Sequence, residues 1–344
     1  MLDTGDAGWV AFDSKDPLTM YHTYVNADPS NAISRSTDGG QDWQTITSGM
    51  EADSSEFYLP MAIDRATDPN TLYLGTYRLY QTTDRGESWN SIFSLPTNDC
   101  SMECISAIAV APSDGNYLYV GTSLGHVYSS SDGGTTFSEA DQGLPSAPIT
   151  KVAVDPANPQ EVYATFLEFQ GTRVAQSRDG GNTWSDISSN IPNIPVTAIL
   201  LDTHGSVYVG NDNGVYVSTD QGASWSRVGT GLPQVDVRDL VFNANDTIIA
   251  ATYGRGIWAL DPSTTTPTSS TTPLPTSTGA QLGRSLNEYL IYPFVAALIV
   301  SISACSRKKR NALQIPLRRN RRFFLVFRHL VLRQEPIKHF IANT

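Results

Sequence analysis

Short runs of alternating apolar and polar residues, broken by clusters of Asp, Asn, Gly and Pro, fill the chain up to about residue 261. That alternation predicts half-buried strands joined by tight turns. Ile108–Pro112 followed by Tyr117–Thr122, and Val152–Pro156 followed by Glu161–Thr165, show the same two-strand grammar twice. After each such pair comes a third run and a string of the form Ser/Thr-x-Asp-x-Gly-x-x-aromatic: STDGGQDW (36–43), TTDRGESW (82–89), SSDGGTTF (130–137), SRDGGNTW (177–184) and STDQGASW (218–225). The aspartates Asp38, Asp84, Asp132, Asp179 and Asp220 are 46, 48, 47 and 41 residues apart.

Turn chemistry explains the string. An Asp two residues after Ser/Thr accepts hydrogen bonds from nearby backbone N–H groups, and the glycine two further on (Gly40, Gly86, Gly134, Gly181, Gly222) takes the positive φ of a tight hairpin. The aromatic residue then starts the next strand, where Trp43, Trp89, Phe137, Trp184 and Trp225 suit a wedge between neighbouring sheets. These residues are therefore expected to be structural. Four strands per period of 40-odd residues make one blade of a β-propeller. The predicted fold is all-β, with about six four-stranded blades over residues 1–261. Inner strands are expected near Trp9–Phe12, Met61–Ile63, Ile108–Val110, Val152–Val154, Ala198–Leu201 and Asp239–Phe242. The sixth module lacks the string and ends in ATYGRGIWALD (251–261), so a ring of six and part of a larger ring both fit.

Composition then changes abruptly. Residues 262–284 begin PSTTTPTSSTTPLPTSTGA, a Thr/Ser/Pro-rich linker expected to be extended and solvated. Within 285–306 lies YLIYPFVAALIVSISAC (289–305), seventeen residues without a charge, followed at once by Arg307, Lys308, Lys309 and Arg310. A single transmembrane helix is expected there, with the basic tail 307–344 cytoplasmic and the propeller extracytoplasmic. No secretory leader precedes Trp9 in the sequence as written. Residues 1–305 hold 33 acids and 12 bases, a net −21, whereas the tail concentrates eleven bases. So acidic a body repels phosphate, and nucleic acid is not expected as a partner. Three cysteines are too few for a disulfide scaffold or the usual structural zinc site, and neither cofactor nor metal is expected. Cys100 and Cys104 read equally as a small disulfide or as two thiols.

With these strings in place, the chain resembles the BNR/Asp-box propellers, a superfamily that includes sialidases, xyloglucan hydrolases, sortilin-type receptors and photosystem II assembly factors. The resemblance covers roughly residues 9–261 and implies the fold more than the function. The sialidase-type Arg-Ile-Pro motif is missing, and the xyloglucan hydrolases work between two propellers where this chain holds one. The expected function is a non-catalytic glycan- or protein-binding module; the alternative is a glycoside hydrolase of sialidase-like or xyloglucanase-like class on the same scaffold.

If the Asp strings turn between third and fourth strands, a ligand is expected at the opposite end. There the turns between second and third strands offer Tyr77 and Arg78, His126, Glu168 and Arg173, Asp212, and Tyr253 with Arg255. The connections between blades add Glu56 and Tyr58, along with Glu51, Asp53, Asp99 and Glu103. Aromatic rings beside carboxylates and arginines provide stacking area and direction for a sugar or a peptide.

Overall fold

A computed structural model describes residues 7–24, 32–65, 67–229 and 231–267. They form twenty-four strands in six antiparallel sheets. Blade 1 is β1 (Ala7–Phe12), β2 (Met20–Tyr24), β3 (Ile33–Ser36) and β4 (Gln44–Thr45). Blade 2 is β5 (Met61–Ile63), β6 (Leu72–Gly75), β7 (Arg78–Thr82) and β8 (Asn90–Ser94). Blade 3 is β9 (Ile105–Val110), β10 (Leu118–Thr122), β11 (Val127–Ser130) and β12 (Ser138–Glu139), and blade 4 is β13 (Ile149–Val154), β14 (Val162–Phe166), β15 (Val174–Ser177) and β16 (Ser185–Asp186). Blade 5 is β17 (Val196–Leu201), β18 (Val207–Asn211), β19 (Gly214–Ser218) and β20 (Ser226–Val228). Blade 6 has three strands, β21 (Val237–Phe242), β22 (Ile248–Thr252) and β23 (Gly256–Leu260).

First strands of successive blades are neighbours, so they line one centre. Lys151 of β13 fills it: its Nζ lies 3.6 Å from the Trp9 ring centroid in β1 and 3.3 Å from Asp239 Oδ1 in β21. Burial lowers the pKa of this ammonium, against the pull of Asp239.

Three devices join blade to blade, and each is written in the repeat. The indole Nε1 of Trp89, Trp184 and Trp225 donates to the carbonyl of Ile46, Ala140 and Ile187, three residues past the aromatic position of the preceding blade, at 2.7, 2.8 and 2.9 Å. Second, a β-bulge near the start of the first strand re-aims one residue out of the ladder. In blades 3, 4 and 5 that residue is Ser106, Thr150 or Thr197, whose hydroxyl donates to the next blade at Ile149 O (2.7 Å), Val196 O (2.6 Å) and Val237 O (2.7 Å). Third, the next blade's first strand presses on the glycine of the Tyr-Val-Gly-Thr run: a Cβ on Gly121 would stand 2.7 Å from Ile149 Cγ2. Apolar clusters fill the spaces between adjacent sheets, for example Ala107, Tyr119, Ile149, Val152 and Trp184 between blades 3 and 4.

At blades 1 and 6 the series changes. Trp43 donates to Gly40 of its own turn at 3.2 Å. Arg238 stands at the bulge of blade 6 where blades 3 to 5 carry Ser or Thr. Among the described residues nothing covers these faces: Val10 and Phe12 of blade 1 are 53% and 49% exposed, and Val241 and Ile257 of blade 6 are 49% and 76% exposed.

Two expectations need correction. The sixth blade has three strands, because after β23 the chain turns through Asp261–Thr264 and lays β24 (Thr265–Pro267) on the outer edge of β20 in blade 5. The propeller thus runs six residues past the predicted boundary at 261; Thr265 and Thr266 belong to a strand because an edge was available for pairing. No helix among the described residues is long and apolar enough to cross a membrane, and the predicted span, its basic tail and the linker beyond 267 lie outside those residues. Cys100 and Cys104 are disulfide-bonded, with Cα atoms 4.5 Å apart.

Candidate functional site

Strand order gives every blade two different ends. Turns between first and second and between third and fourth strands lie at one, the box end; turns between second and third strands, with the connections from blade to blade, lie at the other, the loop end.

The box end is occupied by structure. In each string the Ser/Thr hydroxyl donates to the Asp carboxylate two residues on, for example Ser130 Oγ to Asp132 Oδ1 at 2.7 Å, and accepts the N–H of the glycine. The same carboxylate accepts the N–H four residues on, as from Thr136 at 2.9 Å. Gly40, Gly86, Gly134, Gly181 and Gly222 all have φ between 84° and 93°. Hydrogen bonding holds all five carboxyls below the ordinary range, Asp84 and Asp132 down to about 2, chiefly through the Ser88 and Thr136 hydroxyls. Each string serves its own hairpin, so these five aspartates do not converge on a ligand. A shallow pocket at this end, between blades 4 and 5, is crossed by a bond from Arg178 Nη2 to Gln221 Oε1.

All ten predicted ligand residues stand at the loop end, and the structure draws some of them into local groups. The turn after β6 carries Tyr77 and leads into Arg78, whose Nη1 lies 2.5 Å from Glu51 Oε2 and 3.2 Å from Asp53 Oδ1, with the guanidinium carbon 4.9 Å from the Tyr77 ring centroid. Asp53, buried, also accepts the Tyr80 hydroxyl at 2.7 Å and the Thr76 hydroxyl at 3.0 Å. Tyr80 and Glu51 hold the Arg78 guanidinium firmly charged. The result is a fixed cation with one face on an aromatic ring.

His126 closes the turn after β10, and its Nδ1 lies 2.7 Å from Asp141 Oδ2 and 4.0 Å from Glu139 Oε1. The Asp141 carboxylate raises the imidazole above its ordinary pKa. In blade 6, Tyr253 is exposed, with the Arg238 guanidinium carbon 5.6 Å from its ring centroid and Arg238 Nη2 2.6 Å from Asp236 Oδ2. Asp236 is raised by burial, against Arg238. Arg255 is exposed beside it, and its carbonyl accepts Trp258 Nε1 at 3.0 Å. Asp212 shares the turn after β18 with Asn213, whose side chain accepts Gln234 Nε2 at 2.8 Å.

Other candidates are turned inward. Glu168 Oε1 accepts the N–H groups of Phe169 and Gln170 at 2.9 and 3.0 Å, a brace for its own turn. Arg173 is buried and donates to the Gly171 and Ile191 carbonyls at 2.8 and 3.4 Å; burial lowers its pKa. Glu56, in the connection between blades 1 and 2, is half-buried and raised by that burial. Tyr58 stays 49% exposed, its ring edge-on to Phe57 at 4.9 Å.

Glu139, Asp141, Asp236 and Arg238 escaped sequence reasoning, because each acquires its role from a partner on another strand or turn. The hairpin register was the available signal: with Tyr128 opposite Glu139, one further step sets His126 opposite Asp141.

Comparison with known proteins agrees with this architecture. The model of the DUF6242 beta propeller domain matches residues 157–288. No curated protein matches in sequence. Among solved structures, the GH74 xyloglucanase from Xanthomonas campestris is similar at TM-score 0.59 and 15% identity, over 77% of this chain and 46% of that one. YCF48 bound to D1 peptide is similar at TM-score 0.53 and 16% identity, over 74% of this chain and 82% of that one. The extracellular domain of a putative one component system from B. thetaiotaomicron follows at TM-score 0.52 and 18% identity, over 71% of this chain and 31% of that one. The chain spans less than half the length of the GH74 enzymes it resembles. Six antiparallel sheets around one centre, a propeller-domain model over residues 157–288 and likeness in fold to these solved structures agree on a β-propeller fold for this chain.

Proposed function

We propose that the chain is a non-catalytic binding propeller, held outside a membrane by residues 289–305, that recognises a glycan or another surface protein through its loop end. The observation that carries this reading is the division of labour there. Glu168 and Arg173, groups a hydrolase would need turned toward substrate, are bonded to backbone of their own surroundings. Among the aromatic rings there, those of Tyr58 and Tyr253 stay exposed, with Arg255 exposed beside Tyr253, and Arg78 is fixed against the Tyr77 ring. Stacking area plus a fixed charge binds and orients a ligand without supplying a nucleophile or a proton. Anchoring rests on the uncharged run and the Arg307–Arg310 flank, and it sets the propeller on the side opposite the basic tail.

Similar scaffolds occur in proteins of different kinds: a xyloglucanase is one neighbour, a peptide-bound protein and the extracellular domain of a putative one component system are others. The deciding experiment is a glycan-array and surface-protein binding screen of the purified chain, run beside hydrolysis of chromogenic sialosides and xyloglucan oligosaccharides. Binding without turnover, weakened about tenfold (about 1.4 kcal/mol) by Tyr77→Ala or Arg78→Ala, is the expected result. Turnover abolished by Glu56→Gln or Glu168→Gln would replace this reading with the hydrolase.

A further inference from the structure

Around His126 the loop end gathers more negative charge than the hydrogen bonds of the site use. The β11–β12 ladder explains the gathering: Tyr128 pairs with Glu139, and Ala140 N donates to Val127 O at 2.7 Å. One more step sets His126 against Asp141. Side chains two apart on a strand share a face, so His126, Tyr128, Glu139 and Asp141 project to the same side. The turn that presents His126 is itself fixed, since His126 N donates to Thr122 Oγ1 at 3.1 Å and its carbonyl accepts Thr122 N at 2.9 Å. One nitrogen of His126 and one oxygen each of Glu139 and Asp141 lie within 4.8 Å of one another.

A separate observation comes from the connection between blades 2 and 3. Glu103 is only 3% exposed, and its Oε1 has no hydrogen-bond partner among the described residues. The segment is stitched to the His126 turn, with Cys104 N donating to Ser123 Oγ at 3.0 Å and Ser123 N to Cys104 O at 2.9 Å. Glu103 acts electrostatically on both His126 and Tyr128. Burial, then Glu103, Glu139 and Asp141, push the Tyr128 hydroxyl up to about 12. A buried carboxylate oxygen left without a donor costs free energy that a cation recovers.

We propose that His126, Glu139 and Asp141 bind a divalent transition-metal ion, with the negative charge of the buried Glu103 adding to the field that attracts it. One imidazole with carboxylates favours zinc or manganese over calcium or magnesium, which prefer all-oxygen shells. Ligands about 2.1 Å from a tetrahedral zinc stand about 3.4 Å apart. The 2.7 and 4.0 Å separations measured from Nδ1 bracket that value, so small side-chain rotations close the shell. Glu139, more than half exposed, leaves the ion a route to solvent and room for a water ligand. The site is independent of the glycan or protein reading above.

The test is isothermal titration of the chelator-treated full chain with Zn²⁺ and Mn²⁺, and with Ca²⁺ and Mg²⁺ for contrast. One Zn²⁺ or Mn²⁺ per chain is expected, weakened at least tenfold by Asp141→Asn or His126→Gln, several-fold by Glu103→Gln, and unchanged by Glu87→Gln at the box end. Should the His126 variant fold poorly, broadening of Tyr128 ring resonances by substoichiometric Mn²⁺ in the unaltered chain reads the same position. No binding by either ion, binding that survives the Asp141→Asn/His126→Gln double variant, or Mn²⁺ that leaves Tyr128 sharp would each overturn the proposal.

Discussion

At the scale of single residues, a carboxylate in a turn does more here than decorate a surface. Asp84 accepts the Thr82 hydroxyl at 2.6 Å, the Ser88 N–H at 3.0 Å and the Ser88 hydroxyl at 2.6 Å, and so knits its hairpin closed. All these bonds need acceptor oxygens, and protonation removes acceptors. Because the folded pKa lies below the unfolded one, the stabilisation is fully present above about pH 3.8 and is lost as pH falls toward about 2. Asp132 follows the same course, and Asp38, Asp179 and Asp220 shift in the same direction. Thermal unfolding followed between pH 5 and pH 2 should show the midpoint falling mainly below pH 4. In Asp84→Asn the midpoint should start lower at pH 5 and fall less across that window. An equal drop in both proteins would remove Asp84 from the cause.

At the scale of the element, the repeat couples each hairpin to the sheet before it. Trp225 is buried and its Nε1 reaches Ile187 O at 2.9 Å, whereas Trp43 bonds within its own turn. Trp225→Phe keeps a ring in the wedge but strands a buried carbonyl, a loss of about 1–3 kcal/mol. Trp43→Phe should lose under about 0.5 kcal/mol. Urea unfolding of the two variants beside the parent protein checks the difference, and equal losses would show that the indole bond does not join the blades. Blade 3 already runs the milder version, since Phe137 packs on Phe93 at 4.7 Å without any N–H to give. This coupling was half legible in sequence. Turn residues act locally, so the strings, the positive-φ glycines and the inner strands could be read directly. The Ser106, Thr150 and Thr197 hydroxyls could not, because a bulge decides where each one points and the accepting carbonyl sits 40 or more residues away. His126 was legible as a loop-end candidate, but Asp141 was not, since only the register of β11 on β12 makes them partners.

At the scale of the molecule, six blades share one centre but not one kind of interface. The boxless sixth module marked the place where the repeat stops, and the structure shows the consequence as two apolar faces. Leu240 of β21 packs among Ala198, Tyr208 and Val237 in the space shared with blade 5, while its neighbour Val241 points the other way and is 49% exposed. Two adjacent residues of like chemistry therefore sit in opposite environments, which makes the face directly measurable. Leu240→Asp forces an unpaired charge into packed side chains and should cost at least about 3 kcal/mol, enough to unfold a marginal domain. Val241→Asp and Ile257→Lys meet water instead, so each should stay within about 0.5 kcal/mol of the parent. Urea midpoints of the three variants decide the matter. If Val241→Asp unfolds the chain as Leu240→Asp does, the outer face of blade 6 is covered in solution, and the propeller closes on itself more tightly than its exposed valine and isoleucine imply. If the asymmetry holds, the stability of the ring comes from the five interfaces between successive blades and from Lys151, which ties blades 1, 4 and 6 at the centre. Replacing Asp239 by Asn should then weaken only the central tie, by an amount limited by its half-exposed carboxylate.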